Sequence, residues 1–170
     1  MGNLLSFEGR ARRSHWWLYN IAVGVLGYVV TGVIAPMALG EAGRIQVDPA
    51  SPFTPVYPIP LLAITYGMSL VFIWPTLAMA ARRTHDRGQF ARVNLILMVV
   101  CMVLGAVSNF SMAGLLPPLG SFFWLITAIN VIAGIYLLIV FGFLDGDHGP
   151  NRYGPSPKGI GPTSTAETFS

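Results

Sequence analysis

Charge is the scarce ingredient of this chain. Only 10% of its 170 residues are charged, against about 25% in an ordinary soluble domain, so a water-facing surface could hardly be covered. Cysteine is scarcer still. Cys101 stands alone, which excludes a disulfide framework within the chain, and its apolar surroundings read it as a small buried hydrophobe. No Asp, Glu, Lys, Arg or His lies in 16–40, 59–81 or 93–144. Ion-coupled carriers and redox relays usually place ionisable groups within their spans, so these gaps argue against both classes. Phosphate-cradling glycine loops, nucleophilic serine or cysteine settings and haem-type histidine pairs are also missing from the apolar runs. No catalytic residue, cofactor or metal centre is therefore expected.

What is present is apolar and long. The chain is 54% hydrophobic with a mean hydropathy of +0.62. A helix rises about 1.5 Å per residue and must cross about 30 Å of hydrocarbon. The uncharged 25 residues from Trp16 to Gly40 suffice for one crossing, opened by Trp16, Trp17 and Tyr19 as an aromatic belt. A second span is expected over 59–81, kinked by Pro75. The 52 uncharged residues from Val93 to Leu144 hold two more, over 93–109 and 121–144, with Asn109, Ser111, Gly114, Pro117, Pro118 and Gly120 marking the turn. Residues 41–58 carry Pro49, Pro52, Pro55 and Pro58 and read as an extended outer loop, whereas the Gly, Pro, Ser and Thr of 158–170 read as a disordered tail. The first apolar run is too long for a cleaved leader's core of about 7–15 residues. A myristoylation pattern through Gly2 and Ser6 is short enough to arise by chance.

The basic residues are placed as selectively as they are absent. Arg10, Arg12 and Arg13 precede the first span, Arg82, Arg83, Arg87 and Arg92 separate the second from the third, and Arg152 and Lys158 follow the fourth, leaving Arg44 alone elsewhere. By the positive-inside rule these segments are cytoplasmic, as are both termini. The expected fold is all-α: a polytopic four-transmembrane-helix bundle over 1–157, with a cytoplasmic connection at 82–92, in a bacterial inner membrane. The net charge of +3 and pI of about 9.4 then point to anionic headgroups rather than nucleic acid, since the cations hug helix ends.

Three polar clusters share that face: Phe7-Glu8-Gly9-Arg10-Ala11-Arg12-Arg13, Arg82-Arg83-Thr84-His85-Asp86-Arg87-Gly88 and Gly149-Pro150-Asn151-Arg152-Tyr153-Gly154-Pro155-Ser156-Pro157. In these the chain resembles the bacterial inner-membrane family called domain of unknown function 805, the YhaH/YhaI-like proteins. Their F-x-G-R-x-x-R opening is matched by Phe7, Gly9, Arg10 and Arg13. Their R-R-x-H-D-x-G segment is matched by Arg82, Arg83, His85, Asp86 and Gly88, and their closing N-x-Y-G-x-x-P by Asn151, Tyr153, Gly154 and Pro157. The resemblance covers about residues 5–157 and implies an architecture without an established activity. Gln89-Phe90-Ala91-Arg92 departs from the small-residue-plus-tryptophan stretch usual in the family, and the proline-rich outer loop is longer than is typical.

The cap formed by these clusters is the expected site, with Arg10, Arg13, Arg82, Arg83, His85, Asp86, Arg87, Asn151, Arg152 and Tyr153 as its binding residues. Arg12, Arg13, Arg83 and Arg92 read as topology anchors touching lipid phosphate. Arg10, Arg82 and Arg152 read as partners for Glu8, Asp86, Asp145 or Asp147, stapling the three segments together. Neighbours on a helix point about 100° apart, so Asp86 is expected on an arginine and His85 on a backbone carbonyl. One histidine falls in each segment (His15, His85, His148), without ligand spacing and among arginines, which disfavours a metal. Asn130, the deepest amide, is expected to bond between helices. The leading function is a non-catalytic membrane protein whose cap binds anionic headgroups or a protein partner, including a second copy. The alternatives are a headgroup enzyme using His85 and Asp86, and a passive channel or carrier formed as an oligomer.

Overall fold

A backbone surrounded by hydrocarbon can bond only to itself, so long apolar runs without interior charge become helices. The structure, a computed structural model, describes residues 5–47, 49 and 55–159. Four of its helices are long and apolar enough to cross a membrane: α1 Arg13–Gly43, α2 Ile59–His85, α3 Arg92–Met112 and α4 Phe122–Phe143. No strand occurs among the described residues. Large apolar side chains such as Leu18, Leu70 and Ile132 stand about 70% exposed (68%, 73% and 69%), as expected where lipid, not protein, is their solvent.

The helices extend further at their basic ends than hydropathy suggests. α1 begins at Arg13 and α2 continues through Arg82 to His85. Charge alone does not end a helix, and cations in the last turn complement the helix dipole. Asn109 likewise lies within α3, and the turn that follows bends at Gly114 and Gly120, both of positive φ. Two stretches widen into π-turns, Val29–Ile34 and Ile139–Phe143. The first precedes Pro36, which has no N–H to continue the regular ladder. α2 stays helical through Pro75. Residues 40–43 add a 3₁₀ turn to α1, and Gln46 and Val56 exchange backbone bonds of 3.0 and 2.8 Å. The remainder of the expected outer loop (48 and 50–54) and the tail from 160 lie outside the described residues.

The chain divides into two compact units. One contains Met1–Tyr19, Ile73–Met98 and Ile135–Ser170. Its core is Ala80, Val140 and Phe141, packed by Trp16, Leu95, Met98 and Leu137. Small buried residues on α2 (Ala78, Ala80, Ala81) permit close backbone approach. Tyr19 and Thr76 share a 2.8 Å hydroxyl bond, and Tyr136 donates to Asn94 at 3.3 Å. The other unit contains Asn20–Phe72 and Val99–Gly134. There Asn109 donates to the Tyr66 hydroxyl at 2.9 Å, and Leu61, Leu62 and Ala133 are buried. Asn130 does not bridge helices through its amide nitrogen, which donates to Ile126 of its own helix at 3.1 Å.

The last turn of α4 fixes the geometry of everything below. A helix leaves its final carbonyls without partners. Here four consecutive oxygens receive side-chain donors: Phe141 and Leu144 from Arg83, Gly142 from Trp17 Nε1 at 3.1 Å, and Phe143 from Arg13 Nη1 at 3.0 Å. Trp16 and Trp17, read as a belt, are half-buried against this turn, with Trp16 on Phe141 and Trp17 edge-on to Phe143. A Cβ on Gly142 would approach Trp17 to 3.0 Å, so glycine is what lets the indole reach the carbonyl. Replacing Trp17 with phenylalanine should keep the packing and orphan the Gly142 oxygen. A loss of about 1 kcal/mol is expected, read as a lower unfolding midpoint in one detergent.

Candidate functional site: a cap where three segments meet

Three glycines shape the cap, each at positive φ: Gly9 (+82°), Gly88 (+65°) and Gly154 (+125°). Gly88 is the clearest case. Its N–H bonds to the His85 carbonyl at 3.0 Å while Gln89 N–H bonds to that of Thr84 at 3.3 Å. This is the Schellman closure of α2, whose left-handed residue favours glycine. Gly9 turns the chain so that Ala11 N–H can reach the Arg82 carbonyl at 3.1 Å. Near Gly154, Asn151 and Gly154 exchange backbone bonds of 3.1 and 2.9 Å, and Asn151 Oδ1 accepts from Tyr153 N–H at 2.9 Å.

Asp86 sits at the centre, its side chain 4% exposed. Its Oδ1 accepts from Arg10 Nε at 3.0 Å and its Oδ2 from Arg83 Nη1 at 2.7 Å. Its carbonyl accepts from Asp147 N–H at 2.7 Å. Gly146 is forced by this crowding, because a Cβ there would lie 1.8 Å from Asp86 Oδ2. Arg10, itself buried, also donates to the carbonyls of Gly149 (2.7 Å) and Asp147 (2.5 Å), with longer contacts to those of Asp86 and Gly154. Five contacts meet the five N–H donors of a guanidinium. Thus Arg10 staples all three segments.

Arg83 overturns the reading of a lipid anchor. It is 0% exposed and joins the Asp86 carboxylate to the Phe141 and Leu144 carbonyls. A charge buried this deeply needs a counter-ion and hydrogen bonds, and each of its three nitrogens has a partner. Arg82 is 6% exposed. Its Nε makes a long 3.4 Å contact to Ala78, and its Nη2 has no hydrogen-bond partner. The pairing expected of Arg82 and Arg152 with carboxylates is not formed among the described residues. Arg152 instead donates to the Gly88 carbonyl and lies 3.9 Å over the Phe90 ring. Phe90, at the family-atypical position, is therefore a cap residue that only a search for cation–π partners would single out.

His85 stacks on Tyr153, centroids 3.8 Å apart and planes 9° apart. The backbone of Gly9 and Phe7 interacts with its ring, while Nδ1 is buried without a hydrogen-bond partner. Asn151 joins the group by donating to the His85 carbonyl at 3.0 Å and to Asp147 Oδ2 at 2.8 Å. At the periphery, Arg13 pairs with Asp145 at 3.1 Å, and Lys158 with the same carboxylate at 3.2 Å. The Lys158 hydrogen bond, followed by the Arg13 charge, holds the Asp145 carboxyl below its usual range. Both pairs are substantially exposed and contribute little to stability. Arg12 donates to the Pro157 carbonyl. Arg87 is half-buried and Arg92 exposed, and neither forms an ion pair among the described residues. Among those residues no group of three or more His, Cys, Asp or Glu could hold a metal ion.

Asp86→Asn leaves Arg10 and Arg83 buried without a counter-charge. It should destabilise the protein by about 3–5 kcal/mol, measured by unfolding in mixed micelles and accompanied by proteolytic sensitivity at 144–154.

The family model described as "Protein of unknown function (DUF805)" matches residues 4–155. The inner membrane protein YhaI of Escherichia coli (strain K12) is 26% identical over 156 residues, covering 92% of this chain and 89% of its own. The inner membrane protein YhaH of the same strain is 29% identical over 161 residues, with 92% and 90% covered. The uncharacterized protein YiiR of that strain is 24% identical over 159 residues, with 92% and 89% covered. No solved structure matches the chain.

Proposed function

This chain belongs to the DUF805 family, and for this multi-pass inner-membrane protein we propose a non-catalytic role in which the cap faces the cytoplasm and its outer cations hold anionic lipid headgroups. The supporting observation is how the cap divides its arginines. Arg10 and Arg83 are consumed inside by Asp86 and by carbonyls. Arg87 and Arg92, at the end of α2 and the start of α3, have no ion pair among the described residues, and between and beside them stand Phe90 (68% exposed) and Val93 (71% exposed). Cations flanking exposed apolar side chains suit the border of a bilayer, where the stem stays in the apolar zone and the fork grips phosphate.

The headgroup-enzyme alternative needs Asp86 free to accept a proton or orient His85. Both Asp86 oxygens are engaged by arginine, and His85 is stacked on Tyr153, so a binding role is the better reading.

Each cation near an anionic surface is worth about 1 kcal/mol. Arg87→Gln and Arg92→Gln should each cut the preference for phosphatidylglycerol over phosphatidylcholine about fivefold, read by native mass spectrometry from doped micelles. An unchanged preference would remove this reading. Orientation has its own check. Alkaline phosphatase, active only outside the cytoplasm, should be inactive on either terminus and active when inserted after residue 47. Activity at a terminus would reverse the topology.

A further inference from the structure

The inner side of the cap carries more positive charge than the described residues neutralise. Arg10, Arg82 and Arg83 are all buried, and Asp86 is the sole buried carboxylate among the described residues. Both Asp86 oxygens are already taken, one by Arg10 and one by Arg83. The other carboxylates of the cap look elsewhere. Glu8 is exposed, Asp145 is held by Arg13 and Lys158, and Asp147 receives Asn151. Among the described residues Arg82 is left as a buried cation without a counter-ion, and its Nη2 lacks any acceptor. A buried guanidinium remains charged, and an uncompensated one is strongly unfavourable.

His85 lies three residues further along α2, on the same face, and its Nδ1 is the second buried orphan of the cap. The N-terminal segment walls this region. Ala11 N–H holds the Arg82 carbonyl at 3.1 Å, and the Phe7 and Gly9 backbone reaches the His85 ring. Arg152 adds a further positive charge beside that ring. Two buried nitrogens without partners, on one face of α2 in a positive setting, suit a compact oxyanion. They would repel a metal ion.

We propose that Arg82 and His85 form a buried site for one phosphate oxyanion, supplied by a lipid headgroup or by free phosphate. The guanidinium fork takes one or two oxygens and the imidazole, protonated on Nδ1, takes another. The site differs from the outer surface of Arg87 and Arg92 in its residues, so either can fail alone.

The test is thermal unfolding of the purified full chain in uncharged detergent and phosphate-free buffer, with added inorganic phosphate or short-chain phosphatidylglycerol. Wild type should show a saturable rise in midpoint, with one phosphate group retained per chain by native mass spectrometry. A response to inorganic phosphate identifies a free-oxyanion site, and a response to the lipid alone that depends on Arg82 identifies a headgroup site. Arg82→Gln should be at least as stable as wild type without anion, because it removes an unpaired buried charge, and should lose the response. His85→Asn, which leaves Arg82 in place, should weaken binding about tenfold. Arg87→Gln/Arg92→Gln should keep the Arg82-dependent part of the response, losing with phosphatidylglycerol only what the outer surface adds. No saturable rise with either probe would overturn the site, as would an equal rise in Arg82→Gln, or unaltered affinity in His85→Asn should Arg82→Gln fail to fold.

Discussion

A single carboxylate shared by two buried arginines organises the cap. Asp86 receives Arg10 from the segment before α1 and Arg83 from its own helix, and Arg83 continues to the end of α4. Such an arrangement adds little net stability compared with an apolar core of equal volume, since three charges had to leave water. What it supplies is uniqueness. Any other register of these segments strands a buried charge, and the penalty for that is severe. The glycines serve the same constraint: Gly146 lies where a side chain would strike Asp86, and Gly88 ends α2 so that the chain turns away just beyond it.

The second economy of the design concerns backbone carbonyls. At the rim of a membrane, helix ends need donors where water is scarce. α4 finishes on four oxygens, and Arg83, Trp17 and Arg13 satisfy all of them. Arg10 does the same for the loop carbonyls of Asp147 and Gly149. These arginines are thus less a charged surface than a scaffold of fixed donors. That division of labour leaves Arg87 and Arg92 without an ion pair among the described residues, and Arg82, which neither caps α4 nor pairs with an acid there, stands apart.

The spans were legible because hydropathy and charge gaps are properties of a run of residues, averaged over many positions. Legibility failed where one side chain's direction mattered. Arg82 and Arg83 are adjacent and chemically identical, yet one meets Asp86 and the other does not, and no pattern distinguishes them in advance. Arg10, Arg82 and Arg152 were expected alike as staples to carboxylates, and among the described residues only Arg10 makes that pairing. Trp16 and Trp17 looked like an interfacial belt because tryptophan favours that depth, while the available Gly142 carbonyl drew Trp17 inward. Asn130 looked like glue between helices, but its own helix offered a closer acceptor for its amide nitrogen.

The amino-acid order alone determined an all-helical membrane chain with four crossings, three basic segments and its family, because the cost of burying charge in hydrocarbon acts on every residue independently of its neighbours. Tertiary structure alone decided which arginines are buried and which remain outside. Ion-pair geometry depends on a few ångströms between residues as distant as Arg10 and Asp86, and that proximity exists only once the helices have brought the three segments together.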